Sequence, residues 1–434
     1  MTNELLSRQA AYFILKKVLD DGVTLEASIE EVIRDYERDI SVQDRGFIRH
    51  ITTACIRRLG QLDKMIDHCT QTKLGNTQMS VRHVLRLGIA QLLFSEVPAY
   101  AAVNTSVNLM GKVVPKKLRY LKNTVNAILR KIDREHDTFI KKFGNTRLNI
   151  PKWLLESWDQ RYGQAVVKEI IPVLLSEPPL DISVMPSLDL AEWAKKLEAE
   201  ILPSGGLRLY KAGKITKLEG YNTGMWWVQD LAASLPAKLL NASPKDRVLD
   251  LCAAPGGKAA QSAAIGCLVT AVDLSHRRLS RLKENMNRLN LKVETIESDV
   301  LNFTPECKYD FILLDAPCSS TGTIRRHPEI LRTRKQRHVE EMMIIQSKML
   351  DHATKLLNPG GILVYSVCSM EQGEGPDQIN ALLERDRSLQ RKMILMQEMP
   401  KLEQAILQTG DVQTLPHHYD GGIDGFFISR LVKI

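Results

Sequence analysis

The chain has 434 residues, 44% of them hydrophobic and 25% charged, and its 59 Lys and Arg exceed its 51 Asp and Glu to leave a formal charge of +8. That length exceeds one ordinary core and predicts two or three domains, and the composition excludes disorder as the default. Met1 to Arg8 carries Glu4 and Arg8 with no apolar run of signal-peptide type behind it, and about 18 uncharged apolar residues never stand together, so a cytoplasmic protein with no membrane partner is expected.

The excess of cations suits a polyanion, because neutralising phosphates releases counterions, although basic proteins that bind no nucleic acid share it. Seven cysteines, Cys55, Cys69, Cys252, Cys267, Cys307, Cys318 and Cys368, are scattered without a C-x2-C pair. An odd number in such a protein predicts neither disulfides nor a structural metal site.

From Leu5 to about Asp133 the apolar spacing is helical, as in Ala10, Ile14 and Val18, in Ile48, Ile51 and Cys55, and in Leu85, Ile89 and Leu92. Gly60, Gly75, Pro98 and Pro115 punctuate this all-α half into five or six expected helices. The stretch from about Pro151 to Leu235, with Trp153, Trp158, Pro178, Pro179, Pro186 and Pro203, reads as a small α/β connector or as an extension of the domain after it. Beyond about Asn241 the expected elements alternate: strand 247–251, helix 258–265, strand 267–272, helix 275–289 and strand 309–314. A long amphipathic helix follows, with Val339, Met342, Met343, Met349, Leu350, Ala353 and Leu357 apolar, then a turn at Pro359-Gly360-Gly361 and strand 362–367. Such alternation implies a mostly parallel sheet with helices on both faces, whose ligands lie at the carboxyl ends of the strands.

The first strand of that sheet runs into Cys252-Ala253-Ala254-Pro255-Gly256-Gly257-Lys258 and a helix. A glycine pair at such a turn lets backbone approach a ligand, and the helix start offers unpaired N–H groups. A phosphate-binding loop would need a glycine further upstream and Ser or Thr at Ala259, and the nicotinamide fingerprint G-x-G-x-x-G is absent. Asp273 ends the next strand, about 15 to 20 residues past the glycines, where such acids meet ribose hydroxyls, and Asp299 follows the strand after that. A glycine loop and two acids at consecutive strand ends suit a cofactor with an adenosine and an amino-acid end but no phosphates, which is the make-up of S-adenosyl-L-methionine. Either acid alone reads equally as a helix N-cap.

Two further strands end in Asp315-Ala316-Pro317-Cys318-Ser319 and in Cys368-Ser369, so both thiols are expected at the edge that carries the cofactor loop. A lone cysteine is most often a small buried hydrophobe. A pair at strand ends, one beside an aspartate, suits attack on a pyrimidine: a thiolate adding to carbon 6 of cytosine makes carbon 5 nucleophilic enough to take a methyl group. An acid at ring N3 eases the addition, and a base must later remove the carbon 5 proton. The residues by themselves do not choose between the thiols, since DNA cytosine methyltransferases use the Pro-Cys position.

The segment from Asp250 to Lys258, the segment from Asp315 to Ser319, the Cys368-Ser369 pair and Gln229-Asp230-Leu231-Ala232-Ala233 together resemble the Nol1/Nop2/Sun family of RNA 5-methylcytosine methyltransferases. The amino-terminal half, for example Val125-Asn126-Ala127-Ile128-Leu129-Arg130, is similar to the helical domain of the antitermination factor NusB. The resemblance implies a multidomain fold: an all-α NusB-like RNA-binding domain over 1–140, a small α/β connector over 150–235 and a C-terminal α/β Rossmann-like class I methyltransferase domain over 236–434. It implies Cys368 as the covalent nucleophile, Cys318 as the helper in product release and Asp315 as the contact to base and cofactor. Cys252, Ala253, Ala254, Pro255, Gly256, Gly257, Lys258, Asp273 and Asp299 would complete the S-adenosylmethionine site. The implied partner is 16S rRNA, unassembled or in an early 30S particle, acted on by a monomer; a tRNA or other RNA substrate, or an idle assembly protein, are the alternatives. Two departures stand beside the nucleophile: Val367 replaces the usual Thr, and Met370 to Gly375 replaces the usual Pro-Glu-Glu-Asn stretch, keeping Glu374 but losing the Asn.

Between Arg325 and His338 lie Arg325, Arg326, His327, Arg332, Arg334, Lys335, Arg337 and His338, a cluster expected to hold phosphates flanking a flipped base or else to form a solvated helix face. Trp226 and Trp227 either stack on bases or belong to the core.

Overall fold

The computed structural model describes residues 3–36, 40–70 and 74–434. It separates into a unit of residues 1–156 with 327–334 and a unit of residues 157–326 with 335–434. Among the described residues no helix is long and apolar enough to cross a membrane.

The first unit is helical: α1 (Asn3–Leu19), α2 (Leu25–Asp35), α3 (Val42–Arg57), α4 (Leu59–Cys69), α5 (Met79–Phe94), α6 (Ala99–Val113), α7 (Lys122–Arg134) and α8 (His136–Phe143). Seven of these, α1 to α7, fall within the stretch read as five or six helices. Gly60, Gly75, Pro98 and Pro115 stand at or near the breaks from α3 to α7, Gly60 two residues past Arg58; the surplus comes from the ends of α1 and α2, and α7 and α8 part at Glu135, near φ −106°, with no Gly or Pro there. Helix α5 is the centre, with every residue from Val81 to Gln91 buried. Its buried cations are matched in place, Arg86 binding both oxygens of Asp63 at 2.8 Å and Arg82 reaching Asp67 at 2.6 Å. Helix α7 presents Val125, Ile128, Leu129 and Ile132 on one buried face, and Leu129 packs so close to Gly88 that a Cβ there would lie 2.8 Å from it.

Helix α9 (Lys152–Leu174) bends at Gly163 and leads to a four-stranded antiparallel sheet of β1 (Leu180–Val184), β2 (Glu200–Ile201), β3 (Gly206–Leu209) and β4 (Trp226–Val228), with α10 (Leu190–Lys196) between β1 and β2. Trp226 and Trp227 are both buried. As neighbours in a strand they face opposite sides, Trp226 into the core of this small sheet and Trp227 onto Leu279 and Leu282 of the larger domain, so neither is free to stack on a base. Arg208, fully buried, clasps Asp181 at 2.7 and 2.8 Å and donates to the carbonyl of Gly422, tying the small sheet to the large one.

The large sheet is reached through α11 (Leu231–Leu239). Its strands are β5 (Arg247–Leu251), β6 (Leu268–Asp273), β7 (Glu294–Glu297), β8 (Tyr309–Asp315), β9 (Leu357–Val367), β10 (Leu389–Arg391), β11 (Val412–Thr414) and β12 (Phe426–Lys433). The order is β10-β12-β9-β8-β5-β6-β7, with β11 on β12; β5 to β9 are parallel and the last three strands antiparallel. Helices α12 (Gly257–Ala264), α13 (His276–Leu289), α14 (Ile330–Thr333), α15 (Gln336–Lys355) and α16 (Pro376–Arg385) complete the chain. The expected strands and helices of this half are present within a few residues. The exception is Pro359-Gly360-Gly361: β9 already begins at Leu357, and these residues form an irregularity inside it, Gly360 at φ +77°.

The basic segment 325–338 divides. Residues 327–334 fold with the helical unit, where Arg332 donates to the carbonyl of Asn149 at 2.8 Å. Arg325 is 1% exposed and binds Asp230 and Asp424, while Arg326 also binds Asp424, so these two are structural and not a phosphate-binding face. Lys335 and Arg337 are the exposed cations of the segment. Arg325→Ala should cost about 3–5 kcal/mol, because it takes its ion-pair partner from the buried carboxylate of Asp230, while Asp424 keeps Arg326. Urea unfolding at neutral pH measures this, and a loss below about 1 kcal/mol would mean that the network is not holding the fold.

Candidate active site

Parallel strands β9, β8, β5 and β6 lie side by side and present their carboxyl ends in one row. Cys368 follows the first, Asp315 ends the second, Cys252 follows the third and Asp273 ends the fourth. These residues, with Asp299 and Cys318, line a cavity of about 370 Å³. That volume is within the range of about 300–1,000 Å³ typical of small-molecule sites. A wider groove of about 950 Å³ lies among Arg247, Lys283 and Lys292 and includes none of the expected site residues.

The glycine loop meets the cavity only through Cys252, which turns at φ +63°. Ala253 and Ala254 pack against Leu279, Leu282 and Met286 of α13, and Gly256, at φ +102°, comes so near Leu282 that a Cβ would sit 2.9 Å from it. Pro255, Gly256 and Gly257 therefore shape the turn without lining the cavity. Lys258, in the first turn of α12, reaches back to Asp315 at 2.6 Å, and Ser366 holds the other oxygen of Asp315 at 2.8 Å.

Asp273 faces the cavity but is tied down, accepting from the backbone N–H of Ala254 at 3.1 Å and of Ser275 at 3.0 Å, with Arg278 at 3.4 Å. Asp299 lines the same wall and accepts from Leu301 N–H at 3.0 Å, capping a short turn. For both acids the capping reading and the cavity-lining reading hold together. Sequence inspection missed Leu274, Arg278 and Met349 on this wall. Leu274 and Arg278 follow the strand-end acid within one helical turn, a place visible in the sequence, whereas Met349 comes from the middle of α15 and only tertiary packing brings it in.

Cys318 and Cys368 stand with their sulfurs 3.4 Å apart. The hydrogen bond from Cys318 lowers the Cys368 thiol below its ordinary value, with Lys258 adding to it and burial and Asp315 opposing it. The same hydrogen bond, with burial, pushes Cys318 well up. Of the two, Cys368 is therefore the thiol that ionises more readily. Cys252 is pushed up by burial and by Asp273, Asp315 and Asp250, so this third thiol stays protonated. Beneath the loop, Asp250 is 1% exposed with neither carboxylate oxygen hydrogen-bonded, and burial together with Asp315 pushes it up to about 8.

Both departures next to Cys368 have a physical reason. Val367 is fully buried against the apolar layer of Leu363, Tyr365 and Phe427, where a methyl fits and a hydroxyl would need a partner. At Gly375 a Cβ would lie 2.8 Å from the Phe427 ring, so the Asn expected there has no room. The loop is held instead from α9: Trp158 donates to Glu371 at 2.9 Å, and Arg161 and Tyr162 donate to the carbonyl of Met370.

Residues 237–432 match the family described as 16S rRNA methyltransferase RsmB/F, and residues 6–134 match the NusB family. The ribosomal RNA small subunit methyltransferase B of Serratia proteamaculans is 32% identical over 100% of both chains, and that of Proteus mirabilis 32% identical over 98% of both. The crystal structure of PH0851 shares the fold at TM-score 0.77 and 21% identity over 98% of both chains, and that of NSun6 from Pyrococcus horikoshii at 0.57 and 20% over 65% of this chain and 98% of that one. With full-length relatives at this level of identity, the chain belongs to the RsmB/F family, RNA cytosine methyltransferases that draw their methyl group from S-adenosylmethionine.

Proposed function

We propose that this protein methylates carbon 5 of one cytosine in 16S rRNA through a covalent adduct with Cys368. The observation that carries the reading is the pair of thiols standing 3.4 Å apart in the same cavity as Asp315, Asp273 and Asp299. The residues fit S-adenosylmethionine: Asp273 and Asp299 line the cavity and would accept from ribose hydroxyls, and Leu274, Val300 and Met349 would offer apolar contact to an adenine. When bound, the cofactor supplies the methyl group as an electrophile.

The chain's own residues do the rest. The Cys368 sulfur bonds to carbon 6 of the cytosine, the displaced electron pair moves to carbon 5, and carbon 5 takes the methyl group. Asp315, steadied by Lys258 and Ser366, contacts the base edge and keeps the ring against the thiolate. A base then takes the carbon 5 proton, the freed electron pair re-forms the ring double bond, and the carbon–sulfur pair returns to Cys368, with Cys318 next to the departing sulfur to help release it. Residues 1–140 serve as the RNA-binding domain, 150–235 as a connector and 236–434 as the catalytic domain, in a cytoplasmic monomer acting on unassembled rRNA or an early 30S particle. The relatives' name, ribosomal RNA small subunit methyltransferase B, supports 16S rRNA over tRNA.

Bisulfite sequencing of rRNA and tRNA from cells lacking the gene should reveal one unmethylated 16S position; loss confined to tRNA would replace the substrate and keep the chemistry. Calorimetry should detect S-adenosylhomocysteine, and Asp273→Ala should weaken it about tenfold or more, the worth of a hydrogen bond to a charged group of about 1.5–3 kcal/mol. No binding by well-folded protein would remove the cofactor assignment. The thiols should fail differently: Cys368→Ala leaves no covalent species, whereas Cys318→Ala accumulates a protein–RNA adduct resistant to denaturing gels. An adduct seen only in Cys368→Ala would reverse their roles.

A further inference from the structure

Each thiol is followed by a serine, Ser319 after Cys318 and Ser369 after Cys368, and both serines are buried. Both hydroxyls donate to the same oxygen of Glu374, a residue with no exposed surface, and the Ser319 N–H donates to its other oxygen at 2.7 Å. Gln346 of α15 joins that second oxygen at 3.2 Å and holds the carbonyl of Pro317 at 2.8 Å. One buried carboxylate thus receives the residue after each thiol. We propose that Glu374 is a positioning residue whose clamp on Ser319 and Ser369 fixes the spacing between the two thiols and so keeps Cys318 donating to Cys368.

The sheet alone does not set that spacing. The ladder between β8 and β9 ends at Asp315 opposite Ser366, closed by the Ala316 N–H to the Ser366 carbonyl at 2.9 Å. Cys318 lies three residues past that point and Cys368 two, on loops of different shape. What joins the loops beyond the ladder is the Glu374 carboxylate, together with Thr321, whose hydroxyl meets Ser369 at 3.3 Å and Met370 N–H at 3.1 Å, and the Gly322 N–H on the Cys368 carbonyl. Glu374 is itself immobile: Tyr365 donates to its carbonyl at 2.7 Å, and Gly373 and Gly375 press against Met343 and Phe427.

The charged groups facing the pair are Asp315 on β8, Lys258 on α12, Arg326 past the cysteine loop and Glu374 itself. The hydrogen bond with Cys368 and burial raise Cys318, and Glu374 adds to them. This proposal rests on the reading of Cys368 as the thiolate, and the two are separable by experiment. A clamp and a mere nearby charge predict opposite signs. Removing a negative charge by itself lowers a neighbouring thiol, whereas releasing the clamp lets the sulfurs separate and takes from Cys368 the hydrogen bond that lowers it.

The test is the pH profile of iodoacetamide alkylation at each cysteine of the full chain, read by mass spectrometry. In the unmodified protein Cys368 should react at a lower pH than a free thiol. Glu374→Gln, the same shape without the charge, should move that profile upward by about one pH unit, slowing alkylation about tenfold below the midpoint. Ser319→Ala and Ser369→Ala should move it the same way with Glu374 intact, and S-adenosylhomocysteine affinity should stay within about twofold, which a general loss of structure would not allow. A low-pH profile on Cys318 in the unmodified protein would overturn the assignment of the thiols. An unchanged or lowered profile in Glu374→Gln would overturn the clamp.

Discussion

Because β8 and β9 run parallel and end in step, Asp315 stands opposite Ser366, and the loops leaving both strands turn over the same edge of the sheet. This register brings together residues 50 apart in sequence: the two thiols, and the serine hydroxyl that orients the aspartate. Shift the pairing by one residue and every side chain of β9 changes face. Leu363, Tyr365 and Val367 now fill one buried layer while Ile362 and Val364 fill another, so such a shift would expose neither face cheaply and is closed off by packing.

Charge is then distributed around that edge with few cations. Asp273, Asp299 and Asp315 line the cavity, Asp250 is buried near two of them, and Lys258 is engaged with Asp315. Burying uncompensated carboxylates is costly, and Asp250 answers by keeping its proton. Burial first, and then these acids, push the Cys252 thiol up. Cys368 is lowered instead by short-range contacts, the Cys318 hydrogen bond above all, with Ser320 and Lys258 besides.

The alternation of strands and helices beyond residue 241 was legible because a buried parallel sheet writes continuous apolar runs, and the cofactor loop was legible because strand, glycines and helix follow one another directly. The helix end at Glu135 was not, since no breaker residue marks it and the apolar period runs on through. Strands β10, β11 and β12 escaped for another reason: two of them are three residues long, and all three depend on pairing with one another or with β9. The tryptophans looked adjacent and interchangeable, yet a period of two sends them into different cores. Composition also misled at Arg325, whose neighbours are cations in sequence and carboxylates in space.

That last case changes how the recognisable segments divide between chemistry and support. Gln229-Asp230-Leu231-Ala232-Ala233 carries no cavity-lining side chain; Gln229 bonds Ser183, Trp227 and Gln261, and Asp230 caps α11 and receives Arg325. Arg325 follows the Pro-Cys loop by a few residues, and its second partner, Asp424, precedes β12, which pairs with β9 beneath Cys368. The guanidinium therefore joins the start of α11, the continuation of one thiol's loop and the strand supporting the other. A buried ion network adds little net stability compared with apolar packing of the same volume, but it tolerates only one arrangement of its partners. Here that arrangement is the one in which two loops, leaving separate strands, hold their sulfurs within hydrogen-bonding distance.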